Sequence, residues 1–126
     1  MTEKEIKELK DRDKDGLLIY ESIANNAGQD DACLPELCEA LAGVDHSGQF
    51  TASAARFLHA VDSTRYADLV RPLVSATIDL DRERKYLGDL FQCLYGPVEG
   101  LDVAAMSATD NNFRRMYKRL FADTAM

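Results

Sequence analysis

Residues 62–96 read DSTRYADLVRPLVSATIDLDRERKYLGDLFQCLYG, and their apolar spacing decides how the rest of the chain must be arranged. Tyr66, Val70, Leu73, Thr77, Leu80, Arg84, Leu87, Phe91 and Leu94 follow one another at steps of four and three, the interval that returns side chains to one face of an α-helix. A second row, Leu69, Leu73, Ala76, Leu80, Glu83, Leu87, Leu90 and Leu94, widens that face into a stripe that other helices must cover. Asp62 or Ser63 offers an N-cap, and Gly96 followed by Pro97 is a stop signal. Unbroken, such a helix is about 45 to 50 Å long at 1.5 Å per residue. The pattern predicts an all-α fold, a compact bundle of five to six helices around one long central helix over about 62–95. Pro72 is its weak point, because a mid-helix proline removes one hydrogen bond and crowds the preceding turn, so a kink or a boundary is expected there.

Working outward, Thr2 and Glu5 form a capping box ahead of the apolar pair Ile6 and Leu9. The charged run Asp11 to Gly16 favours a break near Gly16. Leu17 to Ala24 is helical, and the run Asn25 to Gly28 ends it. Pro35 marks the start of a helix with Leu34, Leu37, Cys38 and Leu41 on one face. Thr51 is read as the cap of the next, with Ala54, Phe57, Leu58 and Val61 inward. A short helical segment follows from Asp102 to Met106. Thr109 or Asp110 then caps a last amphipathic helix carrying Phe113, Met116, Tyr117, Leu120 and Phe121. No internal repeat is evident, and the 126 residues read as one domain, 1–126.

The chain carries a net charge of −7, concentrated early: residues 1–50 hold twelve acids and five bases. Acidity of this kind disfavours nonspecific nucleic-acid binding and attracts basic partners. No apolar run is long enough to span a membrane, and the polar acidic start does not resemble a signal peptide, so a cytoplasmic protein is expected. Cys33, Cys38 and Cys93 form an odd set, read as free buried thiols.

Asp11, Asp13, Asp15 and Gly16 resemble the opening of an EF-hand calcium loop, in which alternate carboxylates converge on the ion and a glycine makes the sharp turn. That resemblance covers only these residues. The twelfth position is Ser22 where the family places a bidentate glutamate, so any metal site on Asp11, Asp13 and Asp15 is a weak, calcium-like one. Cys33, Cys38, His46 and His59 have zinc-ligand chemistry. The two cysteines, however, would point about 140° apart on a helix turning 100° per residue. His46 and His59 are the conventional general-base candidates, yet neither sits in a motif with a mechanism attached, so no catalytic residue and no cofactor are expected.

Two charged groups remain. Arg82, Glu83, Arg84 and Lys85 interrupt the central stripe, so the helix either projects into solvent there or pairs with another helix or a second subunit, which makes a homodimer interface one expectation. Arg114, Arg115, Lys118 and Arg119 form a basic patch on the final helix. They are candidates for nucleic acid or a partner, with pairing to the acidic first half preferred. The reading that follows is a non-enzymatic protein-interaction module, a small regulator, adaptor or inhibitor whose acidic N-terminal half meets a partner's basic surface. The alternatives are a DNA-binding regulator using the basic helix, and a weak calcium-binding protein or small enzyme.

Overall fold

The computed structural model describes residues 1–122. The described chain is all-α and compact. Its helices are α1 (Glu3–Arg12), α2 (Leu17–Asn26), α3 (Leu34–Val44), α4 (Gln49–Asp62), α5 (Ala67–Leu80), α6 (Leu87–Tyr95), α7 (Val103–Thr109) and α8 (Asn111–Tyr117). A π-helical turn, Lys118–Ala122, continues α8. Helices α4 and α5 make the most extensive contact; α2 and α3 pack on them from one part of the chain, α6 and α8 from another. Ala52, Ala54 and Ala55 are the buried residues of α4 with small side chains, which lets neighbouring helices approach. The hydroxyls of Thr51 and Thr77 meet at 2.8 Å inside the α4–α5 contact, each also within reach of a carbonyl of its own chain segment.

The long central helix expected over 62–95 is two helices. Helix α5 runs through Pro72 and stops at Leu80, and α6 begins at Leu87. The break lies at Asp81, which repeats a device used twice before. Asp13, Asp45 and Asp81 each end one helix, donating their own N–H to the carbonyl four residues back. Each then turns its buried carboxylate onto the N–H groups that open the next helix. Asp13 accepts from Gly16 at 3.0 Å and Ile19 at 2.8 Å. Asp45 accepts from Ser47, Gly48, Phe50 and Thr51 at 2.9–3.2 Å. Asp81 accepts from Lys85, Tyr86 and Leu87 at 2.8–2.9 Å. The residue three beyond each aspartate has positive φ: Gly16 at 109°, Gly48 at 85° and Arg84 at 59°. A helix N-terminus leaves its first N–H groups without intrahelical partners, and an anion there also suits the helix dipole.

The chain therefore does contain an internal repeat, a helix–aspartate turn–helix unit used three times, contrary to the sequence reading. Thr51 does not cap α4; it lies buried inside the helix, and Asp45 does the capping. Asp110 makes a fourth, shorter junction. It ends α7 and caps α8 through Phe113 N–H at 3.0 Å. The last helix docks as its spacing predicts, with Phe113 and Met116 fully buried. Phe91, Tyr95, Phe113, Tyr117 and Phe121 form a chain of ring contacts with centroids 5.0–6.1 Å apart.

Candidate functional site

Charge divides the molecule. From Asp15 to Ala55 the sequence holds seven acids and neither lysine nor arginine. Some of these acids are occupied. Asp45 is buried in its turn. Asp30 pairs with the Met1 amino group at 2.5 Å, and that hydrogen bond holds its carboxyl below the usual range. Asp31 accepts from Gly28 N–H and the Tyr66 hydroxyl and pairs with Arg65; the Gly28 bond is the largest cause of its lowered pKa. Glu21, Glu36 and Glu39 are exposed and make no hydrogen bond or ion pair among the described residues. They leave an open acidic surface on α2 and α3.

The opposite charge gathers between α5 and α8. Asn112 donates to the carbonyl of Arg71 at 3.0 Å, and Arg115 donates to Ser75 Oγ at 3.3 Å and pairs with Asp79. Arg119 donates to the carbonyls of Ile78, Asp81 and Arg82, the last two at 2.9 and 3.2 Å. The partners advance together along both sequences, so α8 lies parallel to α5. Arg119 satisfies carbonyls at the C-terminal end of α5, where the dipole is negative. Arg84, in the loop, donates in return to the carbonyl of Arg119 at 3.0 Å. These contacts leave a concavity of about 500 Å³ lined by Ile78, Asp79, Arg82, Arg114, Arg115, Lys118 and Arg119. Five cations face one carboxylate. Arg114 donates to the neutral amide of Asn111, and the side chains of Arg82 and Lys118 have no partner among the described residues.

The structure thus brings Arg82 together with Arg114, Arg115, Lys118 and Arg119, two groups that the sequence reading kept apart. It also corrects that reading: Arg115 and Arg119 bind α5, not the acidic first half. Arg82, Glu83, Arg84 and Lys85 occupy an exposed loop instead of a helical stripe, and Glu83 pairs with Lys85 at 2.9 Å. Asp81 takes the place of Asp13 and Asp45 in its turn, but with Arg84 where they have a glycine three residues on, so the shared pattern is incomplete in the sequence.

Asp11, Asp13 and Asp15 do not converge. Asp13 turns inward to its two N–H donors, Asp15 accepts from Leu17 N–H at 3.0 Å, and Asp11 is exposed on α1. Among the described residues no group of three His, Cys, Asp or Glu side chains is placed to hold a metal ion. Cys33 and Cys38 are buried, and burial pushes the Cys38 thiol up to about 12; Cys93 is exposed, against expectation. His46 is exposed in the second turn. His59 lines a cleft of about 780 Å³ that sequence reasoning missed, where Tyr95 donates its hydroxyl to Asp110 at 2.9 Å. Among the described residues no helix is long and apolar enough to cross a membrane. Compared with known protein families, curated proteins and solved structures, the chain matches none.

Proposed function

We propose that the protein is a non-enzymatic interaction module of the cytoplasm, a small regulator, adaptor or inhibitor, whose acidic N-terminal half receives a basic surface of its partner. The observation that carries this reading is the open set of Glu21, Glu36 and Glu39 on a stretch without a single lysine or arginine. Unpaired surface charge of one sign steers an oppositely charged partner within a Debye length of about 8 Å at physiological salt. The test is charge reversal, with Glu21→Lys, Glu36→Lys and Glu39→Lys combined. A protein captured from the source cell at moderate salt is expected to be lost from the variant. Capture of nothing, or equal retention by the variant, overturns the reading.

A DNA-binding regulator is the second reading, favoured by the exposure of Arg114 and Lys118 one turn apart on the last helix. It requires an affinity that falls steeply with salt and falls again when both become alanine. A homodimer fits the same division of charge, and its mark is a solution mass of twice 14.0 kDa that returns to the single value as salt is raised.

A further inference from the structure

We propose that the pocket between α5 and α8 is a binding site for a compact phosphate dianion, the phosphomonoester group of a ligand. It is a separate surface from the acidic one, and neither reading depends on the other.

A fixed floor holds the pocket in shape. Arg115 and Arg119 are only partly exposed and are fixed by Ser75, Asp79 and the Ile78 carbonyl of α5 and by the Asp81 and Arg82 carbonyls just beyond it. Carbonyls orient the Arg119 guanidinium without cancelling its charge. Around this fixed floor stand Arg82, Arg114 and Lys118, all exposed and none paired with a carboxylate among the described residues. Arg82 comes from the loop that the Asp81 turn shapes, so the third repeat unit delivers a cation to the rim. Like charges held together repel one another, and an anion among them removes that repulsion.

The size and setting of the pocket narrow the anion. About 500 Å³ is the range of a small-ligand site, with room for a phosphate and part of the group that bears it. A phosphomonoester carries close to two charges and three acceptor oxygens on one centre, the geometry that arginine forks and a lysine match. A single carboxylate answers only one of the cations. An extended polyanion needs a track of cations beyond the pocket. Outside it the chain is strongly acidic: removing the pocket's net +4 from the chain's −7 leaves −11 on the remaining residues.

The test titrates the whole chain with inorganic phosphate and with phenyl phosphate, by calorimetry and by NMR of the arginine Nε–H groups, at a constant salt of about 0.15 M. Acetate and a short single-stranded oligonucleotide are the comparison ligands. Saturable binding of both phosphates is expected, with shifts at Arg114, Arg115 and Arg119, and weaker binding of acetate. Arg82→Ala with Lys118→Ala removes two exposed side chains that have no partner among the described residues, so folding is spared, and phosphate affinity should fall by roughly tenfold or more. Arg114→Ala is the second variant, with a loss in the same direction. A phosphoserine peptide bound more tightly than phenyl phosphate makes the ligand a modified protein, and equal affinity makes it a small molecule; both support the site. Acetate binding as well as phosphate, unchanged affinity in the variants, or no saturation overturns it. So does an oligonucleotide that binds tightly with a steep salt slope, which gives the surface to nucleic acid instead.

Discussion

At the turn between α3 and α4 the Asp45 carboxylate accepts four main-chain N–H groups and the left-handed residue is Gly48, at φ 85°. At the turn between α5 and α6, Asp81 accepts three, and the left-handed residue is Arg84, at φ 59°. The carboxylate is common to both and the glycine is not. A β-carbon in the left-handed region costs roughly 1–2 kcal/mol, so Arg84 is tolerated where Gly48 has an added constraint. A Cβ built at Gly48 would lie 3.0 Å from Asp81 Cβ and 3.2 Å from Asp81 N, because the second and third turns pack on each other. Arg84 faces solvent and reaches the end of α8. Thus the requirement at these two junctions is an anion for the next helix, and the second needs glycine because the third turn crowds it.

The largest effect should come from removing that anion. Asp45→Ala leaves four N–H groups without their acceptor at a position only 3% exposed, and a loss of about 3–4 kcal/mol is expected from the cap and its charge-assisted bonds. Urea unfolding followed by circular dichroism measures it. Asp81→Ala should cost somewhat less, with three donors released. A loss below about 1 kcal/mol at both sites would mean that water replaces the carboxylate and that the shared turn is incidental.

Next in size is Gly48→Ala, which combines the left-handed penalty with the contact against Asp81. We expect a loss of about 2–3 kcal/mol in the same unfolding experiment. The contact is with backbone as well as side chain, so little relaxation is available. An effect near zero would show that the second and third turns can separate freely.

These turns also explain what the sequence could reveal. The all-α class and the docking of Phe113 and Met116 follow from helical spacing alone. The division of 62–95 did not show, because Leu80 and Leu87 are seven residues apart, two helical turns, so the apolar stripe keeps its phase across the break. Asp13 and Gly16 were visible but resembled part of a calcium loop. The same pair at Asp45 and Gly48 would have revealed a repeat, had Arg84 not stood in the glycine position of the third copy. The basic residues of α8 were legible as a cluster. Their meeting with Arg82 was not, since it depends on packing between segments distant in sequence.

The fourth junction extends the comparison to a smaller effect. Asp110 accepts one N–H, from Phe113, and completes its set with the Tyr95 hydroxyl. Tyr95→Phe should therefore cost about 1 kcal/mol near neutral pH. Burial first, and Asp110 second, raise the Tyr95 phenol well above its ordinary 10.0. The folded state then keeps its proton above pH 10 while the unfolded state releases it, so this contribution is intact below 10 and is lost as pH rises beyond it. Wild-type stability should fall in that window by up to about 1.4 kcal/mol per pH unit from this group, a slope that Tyr95→Phe lessens. Melting temperatures of both proteins across alkaline pH decide it, and parallel curves would remove the tyrosine from the account.

Arg84→Gly is the smallest change and gives the third turn the residue of the second. Two terms oppose each other. Glycine removes the left-handed penalty on the folded state, but it loses the exposed hydrogen bond to the Arg119 carbonyl and adds flexibility to the unfolded chain. The first is worth roughly 1–2 kcal/mol and the others together about 1, so a gain of up to about 1 kcal/mol in urea unfolding is expected. A loss instead would show that the strain at Arg84 is held in place by its grip on the end of α8. Arg84 would then serve the α8 contact first and the turn second, and Arg84→Lys, which keeps charge but not the planar fork, should reproduce most of that loss.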